Sequence, residues 1–207
     1  MEADHEGHAE EESVGLGAVM GRDSTSQEPY TLAIAHGVEA ALQVLVGKPM
    51  ARAGRAASLA WFQFGEIRTH VTKRSPKAKA GEYALHAECL WRLLGPDGVI
   101  TAMSDVHYTA GPEPEYDYDG DKTNAIGSSR FDERIRRIRP LEKARALVVE
   151  RVTVDAGFGL SVELARGYRI EVAPADTTDE EQWRFFRPWS DDHHLVVSAC
   201  GMEVGGE

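Results

Sequence analysis

Every odd position from Tyr83 to Leu93 is apolar (Tyr83, Leu85, Ala87, Cys89, Trp91, Leu93), whereas the even positions between them include His86, Glu88 and Arg92. Alternation of that length predicts a half-buried β-strand, because successive side chains point to opposite faces. Gly95, Pro96, Asp97 and Gly98 then supply a turn into a second strand. Setting Leu94 opposite Val99 places Leu93 against Ile100, Trp91 against Ala102, Ala87 against Val106 and Leu85 against Tyr108. A slip of one residue would turn Asp105 and His107 into the apolar face, so face parity selects this register. The expected unit is one hairpin over residues 83–108, with a core face and a polar face.

The same reading along the rest of the chain predicts short elements. Residues 30–35 alternate weakly and are expected as an edge strand. Val38, Ala41, Leu42 and Leu45 have helical spacing, and Gly47 with Pro49 supplies a stop. Gly54 and Arg55 fall in a small-residue connection, residues 59–64 form a buried strand, and residues 72–80, basic and interrupted by Pro76, form a loop. Ser129 caps a short helix burying Phe131, Ile135 and Ile138, with Pro140 ending it. Its outer face carries Arg134, Arg136, Arg137 and Arg139.

Residues 147–155 are a valine-rich strand, and GFG at 157–159 is a hairpin turn rather than a phosphate cradle. A second hairpin follows: with Ala165, Arg166 and Gly167 as its loop, Leu164 faces Tyr168, Val162 faces Ile170, Leu160 faces Val172 and Glu163 faces Arg169. Thr178 and Glu181 have capping-box spacing, which predicts a helix through Gln182, Trp183 and Phe186. Residues 194–200 are a final strand, after which the glycines fray. These elements make an α+β fold, an antiparallel β-rich core built on hairpins with about three short helices.

Charge changes this picture in two places. The formal net charge is -11, and all of it resides in residues 1–28 and 109–124. Residues 1–28 have few large apolar groups and are expected as a disordered acidic tail. Residues 29–207 are expected as a single α+β domain with a mobile acidic loop at 109–124. The spacing of Asp117, Asp119 and Asp121 invites a calcium loop, but Lys122 and Ser128 stand where an EF-hand needs glycine and glutamate. Cys89 and Cys200 are expected as free thiols. The acidic start MEADHEGHAEEES is unlike a secretory leader, and no run of residues is apolar enough for a span, so a cytoplasmic protein is expected with no membrane partner.

The candidate chemistry is confined to the polar face of the first hairpin. There Glu88 faces Asp105 and His86 faces His107, or, two residues along, Glu88 faces His107. Two imidazoles and two carboxylates form a ligand set for a divalent metal such as zinc, manganese or non-haem iron, which would acidify a bound water for hydrolysis. His86, Glu88, Asp105 and His107 are thus the candidate metal ligands, and apart from that metal no cofactor is expected. His5 and His8 would catch a metal only adventitiously, and Asp191, Asp192, His193 and His194 read as a turn. No nucleophile elbow, Walker loop, dinucleotide fingerprint or HExxH is present. The basic stretch at 72–80 lacks aromatics to stack bases. The arginine cluster, Arg134, Arg136, Arg137 and Arg139, which could grip a nucleic acid or phosphate, has an internal counter-charge in the acidic loop before it, so another protein is the expected partner in preference to nucleic acid.

Three passages, GKPMARAGRAASLAWFQFG, EYALHAECLWRLLGPDGVI, and GYRIEV with EEQWRFFRP and HHLVV, resemble a family of uncharacterised bacterial, largely actinobacterial, proteins. The resemblance implies a shared fold over most of residues 38–200 and no activity. The function expected from the sequence is therefore a non-enzymatic protein-binding module, with an immunity- or defence-type accessory as one form of it. The alternative is a metal-dependent, hydrolase-like enzyme.

Overall fold

A computed structural model describes residues 27–70, 77–190 and 194–205. Residues 1–26 of the expected tail, Asp191, Asp192 and His193 of the expected turn, and most of the basic stretch at 72–80 lie outside the described residues. The fold is α+β and mostly antiparallel sheet. A six-stranded sheet is ordered β1 (Met50–Ala56), β2 (Leu59–Phe64), β5 (Tyr83–Ala87), β11 (Glu181–Phe186), β12 (His194–Ser198) and β13 (Gly201–Gly205). A five-stranded sheet is ordered β7 (Gly98–Ala102), β6 (Leu90–Gly95), β10 (Tyr168–Ala173), β9 (Leu160–Leu164) and β8 (Val149–Val154). A small ribbon pairs β3 (Arg68–His70) with β4 (Ala78–Ala80), so the end of the expected 72–80 loop is strand.

One core lies between the two large sheets. Phe62 of β2 meets Trp91 of β6 edge to face at 6.0 Å, and Trp91 meets Phe131 at 5.6 Å. Such contacts add about 0.5–1.5 kcal/mol each to the burial of the rings. Trp183 of β11 is fully buried, and its indole N–H donates to the Phe158 carbonyl at 3.0 Å, which tucks the tip of the 157–159 turn under the six-stranded sheet. Along one side the sheets are laced together by a Pro49–Val148 bridge and by Met50 N–H donating to Leu147 O at 2.8 Å.

The expected 83–108 hairpin is two separate units. β5 ends at Ala87, and the chain crosses at Glu88 and Cys89, whose N–H groups both donate to Gln182 O at 2.9 and 3.2 Å, before entering the other sheet as β6. The true hairpin is β6–β7. Its register begins as expected with Leu94 opposite Val99, then shifts so that Leu93 faces Thr101 and Arg92 faces Ala102. The extra residue is a β-bulge, and it buries Thr101 and Asp105, the outcome that parity alone disfavours. Burial is tolerated because the Asp105 carboxylate accepts from the Thr101 hydroxyl at 2.9 Å and the Ala102 N–H at 3.2 Å, with Arg130 at 3.3 Å. Residues 103–106 are a 3-10 turn, so no strand continues to Tyr108.

Four further expectations are corrected. Residues 30–35 belong to α1 (Gln27–Leu42), which runs on through the expected helix and is followed by a 3-10 turn to Leu45; Gly47, at φ 82°, ends it. Gly54 and Arg55 lie inside β1. A Cβ at Gly54 would sit 2.1 Å from Trp61 Cζ2, so glycine is required where the indole crosses the neighbouring strand. Residues 181–186 are β11 rather than a helix: Trp183 and Phe185 alternate into the core, and the Thr178 hydroxyl serves a turn with Asp176 instead of a helix end. The C-terminal glycines complete β13.

The 160–172 hairpin has the expected register at every rung. Ser129 caps α2 (Arg130–Ile135) as expected, but Pro140 lies in the first turn of α3 (Arg139–Lys143) rather than ending the helix. Buried Glu142 of α3 accepts from the Ala53 N–H at 2.8 Å and so caps the open edge of β1.

Candidate functional site

The four residues expected to hold a metal do not meet. His86 is on the outer face of the six-stranded sheet, its ring edge-on to Phe186 at 4.7 Å, and Phe186 stacks on His194 at 4.4 Å. Burial, with Arg184 nearby, lowers the His86 pKa to about 4, so the ring is neutral at pH 7. Glu88 lies in the crossing between sheets. Asp105 is engaged as above, with Arg134 at 4.0 Å besides Arg130. His107 follows the 3-10 turn and lies 5.8 Å from the ring of Tyr116. Among the described residues no group of three or more His, Cys, Asp or Glu side chains is placed to hold a metal ion. The polar face that would have joined them ends where β7 ends.

That early end creates a different feature. β7 pairs with β6 only as far as Arg92–Ala102, so the Leu90–Trp91 end of β6 has no strand neighbour on that side. The chain leaves through the 3-10 turn and stands off, opening a depression of about 560 Å³. Its floor is Leu90, Arg92, Ala102, Glu171 and Ala173, with Leu90 opposite Ala173 and Arg92 opposite Glu171 on adjacent strands. Met103, Ser104, His107 and Tyr116 form the wall. Leu90 is 54% exposed, high for a leucine on a sheet. The two charged groups of the floor, Arg92 and Glu171, are paired with each other, and Glu171 also takes Arg169 at 2.6 Å. The volume is in the range of small-ligand pockets, roughly 300–1,000 Å³.

The wall is held in place by the acidic segment. Asp117 N–H donates to His107 O at 2.8 Å, and Thr109 N–H to Glu115 O at 2.9 Å. The Asp117 carboxylate is buried and accepts from Lys122 N–H, Thr123 N–H and the Thr123 hydroxyl at 2.8–2.9 Å. Burial alone would raise its pKa, but these bonds outweigh it and the pKa is lowered. The Asp117, Asp119, Asp121 spacing therefore marks a carboxylate that closes its own turn. Arg55 reaches from β1 to the Thr123 and Ala125 carbonyls and to Asp132 at 2.8 Å, fastening the end of the segment to the sheet. The segment expected to be mobile is thus hydrogen-bonded to the fold at both ends.

The arginine helix is largely committed internally. Arg134 donates to Ile100 O at 3.0 Å, Arg136 to Gly127 O at 3.3 Å, and Arg139 to Glu142 at 2.7 Å. Cys89 is buried and its thiol pKa is pushed up to about 12 by burial, whereas Cys200 is exposed. Among the described residues no helix is long and apolar enough to cross a membrane. The chain matches no protein-family model, no curated protein and no solved structure.

Sequence reasoning missed the depression because it depends on where one strand stops pairing. The available signal was Leu90, an apolar residue on the polar parity of its strand.

Proposed function

We propose that this chain is a non-enzymatic binding protein that recognises another protein by receiving one of its apolar side chains in the depression beside β6. The observation that carries this reading is an apolar floor and wall, Leu90, Ala102, Met103, Tyr116 and Ala173, left open to solvent at the end of β7. Burying such a surface is worth about 25 cal/mol per Å², and a central apolar pocket with a polar rim is the usual anatomy of a binding hot spot. The floor's two charged groups, Arg92 and Glu171, pair with each other, and Glu171 also with Arg169, so an incoming apolar group does not strand a lone charge.

Indole titrated into the full chain tests the reading without assuming a partner. Amide resonances of Leu90, Met103, His107 and Tyr116 should shift together, and Leu90→Arg should weaken indole binding at least about tenfold while changing stability by no more than about 0.5 kcal/mol. Shifts scattered over the surface, or unchanged binding in Leu90→Arg, would refute it.

A further inference from the structure

We infer that the depression receives an aromatic or long aliphatic side chain from a basic segment of a partner protein. The inference rests on the binding reading above and adds the partner's charge. The segment that supplies Tyr116 to the wall carries exposed Glu113 and Glu115 before it and exposed Asp119 and Asp121 after it. Glu115 is paired with Lys122 at 2.9 Å, whereas no ion pair among the described residues engages Glu113, Asp119 or Asp121. Asp117, the carboxylate between them, is buried and used by the fold, so it anchors the segment while its neighbours face water.

The aromatic groups point the same way. Tyr116 is the hub of a ring cluster, with Tyr118 at 4.6 Å, Tyr108 at 5.2 Å and His107 at 5.8 Å. Tyr118 is 89% exposed. Exposed tyrosine faces beside free carboxylates attract lysine and arginine by cation–π and Coulomb terms together. In the floor itself Arg92 is held by Glu171, which also takes Arg169, so neither floor charge is offered singly to an occupant. The carboxylates flanking Tyr116 disfavour an acidic peptide or a phosphate backbone, which leaves a basic segment with one apolar anchor as the occupant.

The test uses the full chain and four synthetic peptides followed by amide shifts: Lys-Arg-Lys-Phe-Lys-Arg-Lys, the same peptide with serine for phenylalanine, Gly-Ser-Gly-Phe-Gly-Ser-Gly, and Glu-Asp-Glu-Phe-Glu-Asp-Glu. The basic phenylalanine peptide should shift Leu90, Met103 and Tyr116 and bind about tenfold more tightly than the neutral one. That advantage should vanish in about 1 M salt and in a Glu113→Lys, Asp119→Lys, Asp121→Lys variant that still binds indole. Equal binding of the basic and neutral phenylalanine peptides would overturn the charge inference and leave the pocket reading intact, and tighter binding of the acidic peptide would do the same. Equal binding of the two basic peptides would overturn the anchor. Silence from all four peptides and from indole would remove both readings. Dimerisation without peptide that is lost in the same charge variant would replace the separate partner by a second copy offering its basic residues 72–80.

Discussion

The outer faces of the two sheets are built from opposite materials. On the six-stranded sheet, Trp61, His86 and Arg184 form one cross-strand row, and beside it Phe186 meets the His86 ring edge to face and stacks on His194. Arg52 lies over Trp61 at 5.5 Å, and Trp189 folds back to donate to Gly81 O at 3.0 Å. Even Ala84, on the outer parity, has no exposure. On the five-stranded sheet the outer face carries the ion pairs Arg92–Glu171, Arg169–Glu171 and Arg151–Glu163, the first of them in the floor of the depression. The first face is packed by the chain's own rings and the second carries charges and an open depression, although both cover the same core.

The largest effect that tests this contrast is expected at Gly54. Gly54→Val drives a side chain into the Trp61 indole and should cost about 2–3 kcal/mol in urea unfolding, as overpacking does. Unchanged stability would mean that the ring is not held against β1 and that the face is looser than described. A smaller effect belongs to His86. Its pKa in the fold lies below the ordinary 6.5, so the unfolded chain takes up the proton first. The stabilisation is complete above pH 6.5 and is lost as pH falls toward 4. Allowing for the ring's partial solvent access, the loss is about 1–2 kcal/mol, and a His86→Leu variant should lack that part of the pH profile. The smallest effect is expected on the open face. Arg92→Ala breaks an exposed pair and should cost less than about 1 kcal/mol; a loss as large as that of Gly54→Val would show that the ion pairs, too, carry the fold.

How far the sequence foretold these features depends on whether one strand's alternation could identify its partner. The 160–172 hairpin is legible rung by rung because both strands and their loop are contiguous and share one sheet. The 83–108 stretch is not, since Leu85 and Ala87 on one sheet and Trp91 and Leu93 on the other point into the same core from opposite sides. Unbroken alternation therefore hides the crossing at Glu88 and Cys89. At residues 181–186 the capping-box letters competed with an aromatic alternation, and tertiary burial of Trp183 and Phe185 prevailed. The metal set does not come together for a related reason: it required β7 to continue past Ala102, whereas the chain turns there and Asp105 is buried against Thr101, the Ala102 N–H and Arg130. Buried Glu142 and Arg55, each holding backbone from a distant segment, left no pattern in the sequence to find.

The crossing at Glu88 and Cys89 also sets an order of assembly. The whole five-stranded sheet, from Leu90 to Ala173, is spliced between β5 and its neighbour β11. During synthesis β5 emerges with one edge unpaired and must wait until Glu181–Phe186 has left the ribosome, so the intervening sheet either folds first and delivers β11 to its place, or leaves a tacky strand edge open to the wrong neighbour.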